Sequence, residues 1–364
     1  MNKRLFVEKT ENGIMMTVET TDTHRNAGYS RTFEVPNFEY KEPISFSSET
    51  KYFKQIEKIG LKNIRAIEWE AEDCFIETTE GFKVQVKNAS LTTSRPKYIP
   101  KEIKPLITLK FETKKILDTL KKIAPFCKKP APDSLERNFE GFCLNCSKIK
   151  NTIDIVASDT YSMAVYQVTP IEKNYHFDSR EYKFVFDINL LKNKEVNFKE
   201  IVIFEQTVPY QKEKQQQAVI NNEILVWASN VKFPDYEKIV NLEEEKYVFN
   251  IESLKLKEYF NKAKTIFGNR AQIFLRLDPT GKTYLTNDNS VYSERQKIEV
   301  QDAIKIINKP KKDVLKVFDM ALINILIKQS GMILCKTGET ANSFGKFFYE
   351  EDGYFIFLPA RTRD

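Results

Sequence analysis

Hydrophobic periodicity predicts two amphipathic helices of similar design, at 113–124 and 253–267. In both segments the apolar residues recur at the spacing found on the buried face of a helix. Thr113 and Ser253 stand at the starts of these segments, and both are residue types that cap helix N-termini, so we expect each to be an N-cap. A third helix is predicted at 49–59. The predicted apolar faces of the first two helices are Ile116, Leu117, Leu120, Ile123 and Ala124, and Leu256, Tyr259, Phe260, Ala263, Ile266 and Phe267.

Alternating apolar and polar residues predict antiparallel strands around these helices. One hairpin is expected at 71–86 with its turn at 80–81, and another at 275–285 with its turn at 278–281. The order of elements is a helix, several strands, a second helix and more strands. This order indicates an α+β fold.

Two pairs of aspartates indicate an internal repeat. Asp159 and Asp288 follow similar strand patterns and are 129 positions apart, while Asp187 and Asp319 precede similar leucine- or isoleucine-rich segments and are 132 positions apart. Nearly equal offsets predict a repeated domain of about 130 residues. A proline-rich linker is expected at 95–105. We therefore predict three domains, at 1–105, 106–243 and 244–364, of which the first is the most divergent.

Composition limits the classes of protein that remain. The chain has 364 residues, of which 41% are hydrophobic, enough for more than one folded domain. Its net charge of +6 permits a nucleic-acid partner without requiring one. The sequence lacks an apolar run long enough for a membrane span, and its first residues do not resemble a signal peptide. Five scattered cysteines indicate a reducing, cytoplasmic environment.

Lysines recur on the polar sides of the three predicted helices. Lysine is a flexible point charge and suits contact with phosphates without reading of the base sequence. A solvated helix surface is the alternative explanation for any one helix. The candidate DNA contacts are Lys51, Lys54, Lys58, Lys114, Lys115, Lys121, Lys122, Lys257, Lys262 and Lys264.

Histidine and cysteine offer little material for a catalytic or metal site. Only His24 and His176 occur in the chain. Cys143 and Cys146 have C-x-x-C spacing, but a second such pair is missing and the two would point to opposite faces of a strand. Buried structural thiols are therefore favoured over a zinc site, and we expect neither a metal nor a cofactor.

Other motifs that suggest chemistry also have structural interpretations. Asp159 and Asp288 could serve metal-dependent hydrolysis, but their repeated position favours capping of a turn through bonds to the backbone. The tripeptide Gly-Lys-Thr at 281–283 resembles the end of a phosphate-binding loop, yet Arg276 stands where that loop requires glycine. A hairpin turn is the preferred interpretation, and the sequence does not indicate an enzyme.

Three segments resemble the bacterial DNA polymerase III beta subunit, the DNA sliding clamp family. They are Val-Ala-Ser-Asp-Thr-Tyr-Ser-Met-Ala-Val at 156–165, Lys-Phe-Pro-Asp-Tyr-Glu-Lys-Ile-Val at 232–240 and Tyr-Phe-Ile-Phe-Leu-Pro-Ala-Arg at 354–361. Their order and spacing match the family over about 106–364, and the first domain matches by position. The resemblance implies three repeated clamp domains, with helices lining a central pore and antiparallel sheets outside. It also implies that two subunits close head to tail into a homodimeric ring.

The resemblance further implies a protein that encircles double-stranded DNA and is not an enzyme. A separate ATP-driven clamp loader would open the ring. The replicative DNA polymerase and other clamp-motif proteins would bind a peptide pocket. For Phe233, Pro234 and Tyr236, packing between domains is the alternative role. By position, the pocket residues are Phe139, Ser158, Thr160, Tyr161, Ser162, Met163, Pro234, Ile239, Ile356, Leu358, Pro359, Ala360 and Arg361.

The chain also departs from the family pattern. Thr160, Tyr161 and Ser162 stand where the family usually has Gly, His and Arg, so a different peptide preference is expected. The tail continues through 362–364, and Ser-Glu-Arg-Gln-Lys at 293–297 replaces an acidic run of the third-domain interface. Three hypotheses remain: a homodimeric clamp, a monomeric clamp-fold adaptor that binds replication proteins, and a β-rich hydrolase acting on nucleic acid.

Overall fold

The structure, a computed structural model, describes 2–10, 13–22, 27–36, 45–48, 60, 63–70, 73–86, 90–91, 97–127, 141–160, 162–192, 196–207, 214–228, 233–240, 246–268, 272–287, 297–319, 325–326, 331–338, 345–349 and 353–357. The chain forms two compact units. The first comprises Met1–Asp118, Cys146–Asn151 and Thr169–Lys232, and the second comprises Thr119–Asn145, Thr152–Val168 and Phe233–Asp364. The division into three repeated domains stays a prediction.

Strands dominate the described residues. The strands are β1 (Asn2–Thr10), β2 (Gly13–Asp22), β3 (Ala27–Pro36), β4 (Ser45–Ser48), β5 (Ile64–Glu70), β6 (Asp73–Thr78), β7 (Lys83–Val86), β8 (Ser90–Leu91), β9 (Ile107–Lys110), β10 (Gly141–Ser147), β11 (Ile153–Ser158), β12 (Ser162–Val168), β13 (Glu172–Tyr175), β14 (Glu181–Asp187), β15 (Glu200–Thr207), β16 (Lys214–Ile220), β17 (Ile224–Trp227), β18 (Tyr247–Glu252), β19 (Gln272–Leu277), β20 (Thr283–Thr286), β21 (Lys297–Glu299), β22 (Ile304–Ile306), β23 (Val314–Asp319), β24 (Met332–Thr337), β25 (Gly345–Phe348) and β26 (Gly353–Phe357). The helices are α1 (Thr113–Ile123), α2 (Asn189–Lys192), α3 (Tyr236–Val240) and α4 (Ser253–Phe267), with a 3₁₀ turn at Ala124–Phe126.

A ten-stranded sheet forms the main part of the first unit. Its strands follow in the order β13-β9-β15-β16-β17-β3-β2-β1-β4-β8, while β5, β6 and β7 form a separate three-stranded sheet. The pairing of β17 with β3 places Trp227 opposite Gly28. A Cβ atom at Gly28 would lie 2.7 Å from the Trp227 ring, so only glycine permits this close approach. One sheet thus contains strands from both the first and the second predicted domains.

The predicted linker packs against this sheet. Residues 97–105 have no regular secondary structure. The Lys97 backbone N–H donates to Glu19 Oε2 at 3.1 Å, and the Ser30 hydroxyl donates to the Lys97 carbonyl at 2.7 Å. Lys97 Nζ lies 4.4 Å from the centroid of the Trp227 ring. Burial lowers the pKa of the Lys97 amine and raises that of the Glu19 carboxyl, because it disfavours the charged form of each group.

Two sheets organise the second unit. In one, the strands follow in the order β10-β11-β12-β26-β25-β24-β18-β22, and in the other the order is β21-β20-β19-β23. The aromatic rings of Phe347 and Phe355 stack at 5.2 Å, and Phe126 packs on Phe355 at 5.7 Å. These side chains form the centre of an apolar core on one face of the first of these sheets.

Both predicted helices form. The predicted cap at Thr113 is wrong, because Thr113 is the first residue of α1 and the carbonyl of Glu112 accepts the first bond of the helix, from the Ile116 N–H at 3.1 Å. Two further corrections fall in the second helix. Helix α4 buries Leu256, Phe260, Ala263 and Phe267, but Ile266 is 55% exposed and does not belong to the buried face. Ser253 is the first helical residue, and Glu252 is the N-cap. The predicted cap at Ser253 is wrong, because its hydroxyl donates to the carbonyl of Gly331, a tertiary partner, at 3.1 Å. The predicted helix at 49–59, with Lys51, Lys54 and Lys58, lies outside the described residues.

The two predicted hairpin turns are confirmed. Gly81 has a φ of +83° between β6 and β7, and Gly281 has a φ of +95° between β19 and β20. Asp278 Oδ1 accepts from the backbone N–H groups of Thr280 at 2.8 Å and Lys282 at 3.1 Å. The Gly-Lys-Thr tripeptide therefore belongs to a hairpin turn that Asp278 caps.

The five cysteines are buried thiols outside any disulfide. Burial raises the pKa of the Cys74 thiol to about 12, so this group stays protonated. Within the described part of the chain, His, Cys, Asp and Glu side chains do not gather in any group of three or more that could hold a metal ion. No described helix is both long enough and apolar enough to cross a lipid bilayer.

Candidate functional site

Strand pairing brings residues from two of the family-like segments onto one face of the sheet. Ser158 pairs with Met163 across β11 and β12, and Met163 pairs with Ile356 across β12 and β26. Directly opposite residues of antiparallel strands project to the same side. Met163 is 5% exposed and Ile356 is 1% exposed. We call this side, marked by Ser158, Met163 and Ile356, the site face; the aromatic core lies on the other side.

The β11–β12 turn is held by its own aspartate. Asp159 Oδ1 accepts from the backbone N–H of Ser162 at 2.7 Å and from the Ser162 hydroxyl at 2.9 Å. The Ser158 hydroxyl donates to the carbonyl of Ser162 at 2.8 Å. The predicted capping role of Asp159 is confirmed, while Asp288 lies outside the described residues.

Thr160 occupies a backbone conformation that favours glycine. Its φ is +82°, and its N–H donates to the Ser158 hydroxyl at 3.3 Å. A β-branched residue is strained in this region because its Cβ crowds the neighbouring carbonyl. The turn therefore keeps the geometry of a glycine turn although the glycine of the family pattern is replaced.

Tyr236 anchors the second family-like segment to the site face. Its hydroxyl donates to Asp154 Oδ2 at 2.7 Å and accepts from Asn145 Nδ2 at 2.7 Å. All three side chains are buried, and burial raises the pKa of the Tyr236 hydroxyl, which therefore remains a proton donor. Asp154 is four residues before Ser158 in β11, so it projects to the same side as Ser158. Helix α3 consequently lies over the site face, about 13 Å along the strand from the turn.

The residues in and around α3 differ in how deeply they are buried. Phe233 and Tyr236 are buried, whereas Pro234 and Ile239 are partly exposed. The hydroxyl of Tyr236 bonds to residues of its own predicted domain, while packing between domains stays a prediction for Phe233, Pro234 and the Tyr236 ring. Pro234 and Ile239 flank the anchor and remain candidates for ligand contact. The other predicted pocket residues, Phe139, Tyr161, Leu358, Pro359, Ala360 and Arg361, lie outside the described residues.

The described helix lysines lie off the buried stripes. Helix α1 buries Ile116, Leu120 and Ile123, and α4 buries the residues given above. Lys122 is partly buried, with its Nζ 5.9 Å from the Tyr166 ring centroid and 5.8 Å from that of Tyr349. Lys264 is partly buried against the Phe260 ring at 4.8 Å. The exposed members of the predicted set are Lys114, Lys115, Lys121, Lys257 and Lys262.

Sequence reasoning missed two lysines on the site face. Ile356 pairs with Lys346 of β25, and Lys346 pairs with Lys336 of β24. Both lysines therefore project to the same side as Met163 and Ile356. In the sequence, the only indication of these two residues is that each is the single lysine of a strand composed mostly of apolar residues. The pairing of the strands was needed to place the two side by side.

Solved structures of bacterial sliding clamps match almost the whole chain. The DNA polymerase III subunit beta from Pseudomonas aeruginosa has 15% identity and a TM-score of 0.65, over 99% of this chain and 92% of that one. The beta subunit from Thermotoga maritima has 16% identity and a TM-score of 0.67, over 99% and 91%. The Helicobacter pylori beta clamp bound to a DNA ligase peptide has 14% identity and a TM-score of 0.63, over 99% and 92%. Neither a protein-family model nor a curated protein sequence matches the chain.

These matches show the fold. The chain has the α+β fold of the sliding clamps, built from antiparallel sheets and few helices in the described residues. The fold implied by the sequence resemblance is confirmed. At 13–16% identity these matches show the fold alone, because one fold can serve many functions.

Replacing Thr160 by glycine is expected to stabilise the protein. The substitution Thr160→Gly removes the Cβ that is strained at a φ of +82°. We expect the free energy of unfolding to rise by about 1 kcal/mol, measured by urea denaturation followed by circular dichroism. The control is Thr79→Gly, since Thr79 lies in a turn and does not have a positive φ. That variant should lose about 0.5–1 kcal/mol. A loss of stability in both variants would contradict strain at Thr160.

Removing the Tyr236 hydroxyl is expected to destabilise the second unit. Tyr236→Phe leaves the buried side chains of Asn145 and Asp154 without their shared partner. We expect the free energy of unfolding to fall by about 2 kcal/mol. Tyr284→Phe is the matched control, because Tyr284 is partly exposed and its ring contact with Lys297 survives the change. Equal stability of the two variants would rule out the anchor.

Proposed function

We propose that this chain is a DNA sliding clamp. Two copies would close head to tail into a ring around duplex DNA, and the candidate site would hold the replicative polymerase and other clamp-motif proteins. The observation that carries the proposal is the clamp fold over 99% of the chain, combined with an apolar site face at the position where the family binds peptides. A separate clamp loader would open the ring.

The chemistry of the site face supports peptide binding. Met163 and Ile356 supply an apolar floor, and the polar turn from Ser158 to Ser162 borders it. An apolar floor provides affinity, and a few polar groups fix the orientation of a ligand. The Helicobacter pylori clamp that matches this chain was solved with a DNA ligase peptide, which supports a peptide as the ligand class.

The helix lysines support contact with DNA. Lys114, Lys121, Lys257 and Lys262 are exposed on helices whose other faces are buried. Mobile ammonium groups attract phosphates without reading bases, and this suits a ring that slides.

The proposed function does not include a covalent reaction. The Asp159 carboxylate serves its own turn, which supports a structural role over hydrolysis. Buried thiols that form no disulfide support a cytoplasmic location for the protein.

Mass in solution tests the ring. Light scattering during size-exclusion chromatography should give twice the chain mass of 42.6 kDa. A value of one chain mass would overturn the homodimeric ring and favour a monomeric adaptor that keeps the clamp fold. Metal-dependent nuclease activity that disappears in Asp159→Asn would instead favour the hydrolase hypothesis.

Retention on DNA tests the role of the helix lysines. The double reversal Lys114→Glu/Lys121→Glu should lower retention on nicked circular plasmid roughly tenfold, because two phosphate contacts become repulsive. The protein would be loaded onto the plasmid by the clamp loader present in a lysate of the source cells, with ATP added. Gel filtration would then measure how much protein stays on the plasmid before and after the plasmid is linearised. Both lysines are exposed, so folding should be unaffected.

The matched control for retention is Lys309→Glu/Lys311→Glu, two exposed lysines that lie outside the helices. This control has the same change in net charge. Retention of the wild-type protein should be lost when the plasmid is linearised. Equal loss of retention in the two double variants would show that only net charge matters and would remove α1 from the proposed pore.

A further inference from the structure

We propose that the first unit contains a reversible hinge where β17 pairs with β3, and that Lys97 is the weak, charged clasp of this hinge. We call the pairing of these two strands the seam; β17 belongs to the second predicted domain and β3 to the first. When the hinge opens, the two strands separate while the other pairings of the sheet persist. This inference does not depend on the proposed ring or on its ligands.

The seam is short and joins parts of the chain that are far apart. It spans only Ile224–Trp227, whereas β2 pairs with β3 along the whole of Gly13–Asp22. A turn in which the Glu223 N–H donates to the Ile220 carbonyl at 3.0 Å joins β17 directly to β16, so β17 stays with β16 when the seam opens. Arg31 and Glu223 form an ion pair across the seam at 3.0 Å, but the Glu223 side chain is 57% exposed and exposed pairs contribute little stability. Separation of the two strands therefore requires the loss of only a short ladder of backbone bonds.

One residue of the linker crosses the seam. The Lys97 N–H donates to Glu19 of β2, and the Lys97 carbonyl accepts from the hydroxyl of Ser30 in β3. On the other side of the seam, Lys97 Nζ donates to Gln215 Oε1 of β16 at 3.4 Å and lies 4.4 Å from the centroid of the Trp227 ring in β17. Lys97 therefore contacts the four consecutive strands β16, β17, β3 and β2. Opening of the seam must break either its backbone bonds or its side-chain contacts.

The linker changes from one predicted domain to the other at Lys97. Farther along, Ile99 and Ile103 pack against an apolar cluster of the second predicted domain. The backbone of Lys97 is bound to the first predicted domain, and the linker after it is bound to the second. A rotation at Lys97 lets the strands separate while Ile99 and Ile103 stay in place, so we place the hinge at this residue. The cluster consists of Phe204, Val219, Leu225 and Trp227.

Closing the seam buries charge. Glu19 is 5% exposed and Lys97 is partly buried. Burial raises the pKa of Glu19 and lowers that of Lys97, and for each group this effect outweighs the attraction between the two charges. Buried opposite charges are often no more stabilising than uncharged side chains of similar volume. The clasp therefore closes the seam more weakly than an uncharged residue would, and this keeps the hinge reversible.

Hydrogen exchange of the full chain tests whether the seam opens by itself. Exchange would be followed by mass spectrometry with electron-transfer fragmentation, which resolves single amide groups. After correction for intrinsic rates, the amides that bridge β17 and β3 should exchange about tenfold faster, or more, than those that bridge β2 and β3. Equal rates for the two sets would show that the seam opens only together with the rest of the sheet, and would overturn the hinge.

The double variant Glu19→Gln/Lys97→Met tests the clasp. It removes both buried charges and leaves the net charge unchanged, and the new side-chain amide at position 19 can still accept from the backbone N–H at position 97. The amides of the seam should exchange about tenfold more slowly than in wild type, because closure no longer desolvates a charge. Faster exchange would show that the charges strengthen the seam, and unchanged exchange would show that they do not act on it; either result contradicts the clasp.

Lys101→Met/Glu102→Gln is the matched control. Both residues are exposed in the same linker, and the two substitutions remove the same pair of charges. Exchange of the seam amides should match that of wild type. Slowing equal to that of the first double variant would show that any loss of charge in the linker has this effect, and would remove Lys97 as the clasp.

Acid pH tests the clasp in the wild-type protein, without a substitution. The charged groups that act on Glu19 are Arg4, directly opposite on β1, and Lys97, and both keep their charge at acid pH. Because the pKa of Glu19 is raised in the closed seam, protonation of this carboxyl favours closure as the pH falls from neutrality through that pKa. Corrected exchange of the seam amides should therefore slow over that range in wild type and not in Glu19→Gln/Lys97→Met. Exchange that stays constant or accelerates in wild type would overturn the proposal.

Discussion

Antiparallel pairing between β12 and β26 is the constraint on which the candidate site depends. It joins the middle of the chain to its end and sets Met163 beside Ile356. The register is fixed sterically, because a Cβ at Gly353 would lie 2.3 Å from the ring of Tyr166, which is its partner across the strands. A shift by one residue would place a bulky side chain under that ring and turn every side chain of β26 to the opposite face. The pairing of Met163 with Ile356 on the site face, and the position of Phe355 and Phe357 in the aromatic core on the other face, both follow from this one register.

Two local devices then prepare the site before any ligand arrives. The turn after β11 is closed by Asp159 and carries its strain at Thr160, while Tyr236 fixes α3 through two buried hydrogen bonds. A movement of α3 would break both bonds of the buried Tyr236 hydroxyl, and this cost opposes rearrangement. The groups that would contact a ligand are therefore held by a scaffold and need little ordering on binding.

Sequence predicted the parts of the structure that depend on short-range pattern. The bounds of α4, the two hairpin turns and the role of Asp159 all follow from spacing, because helix periodicity and turn chemistry act over a few residues. The prediction was wrong for Ser253, whose hydroxyl takes a tertiary partner, and for Ile266, which the periodicity placed on the buried face. Lys336 and Lys346 were missed because their adjacency depends on pairings among strands that are not defined by local pattern. The fold itself was accessible because the three family-like segments retain their order.

The shared sheet of the first unit has a consequence for how this chain is synthesised. Strand β3 ends at Pro36, but its partner β17 begins only at Ile224, about 190 residues later. At about 5 to 20 residues per second, β3 emerges from the ribosome roughly ten to forty seconds before its partner exists. During that time its unpaired edge can join strands of other chains. The first stretch of the chain is therefore an intermediate with an unpaired strand edge, and the sheet closes only after β17 has been made.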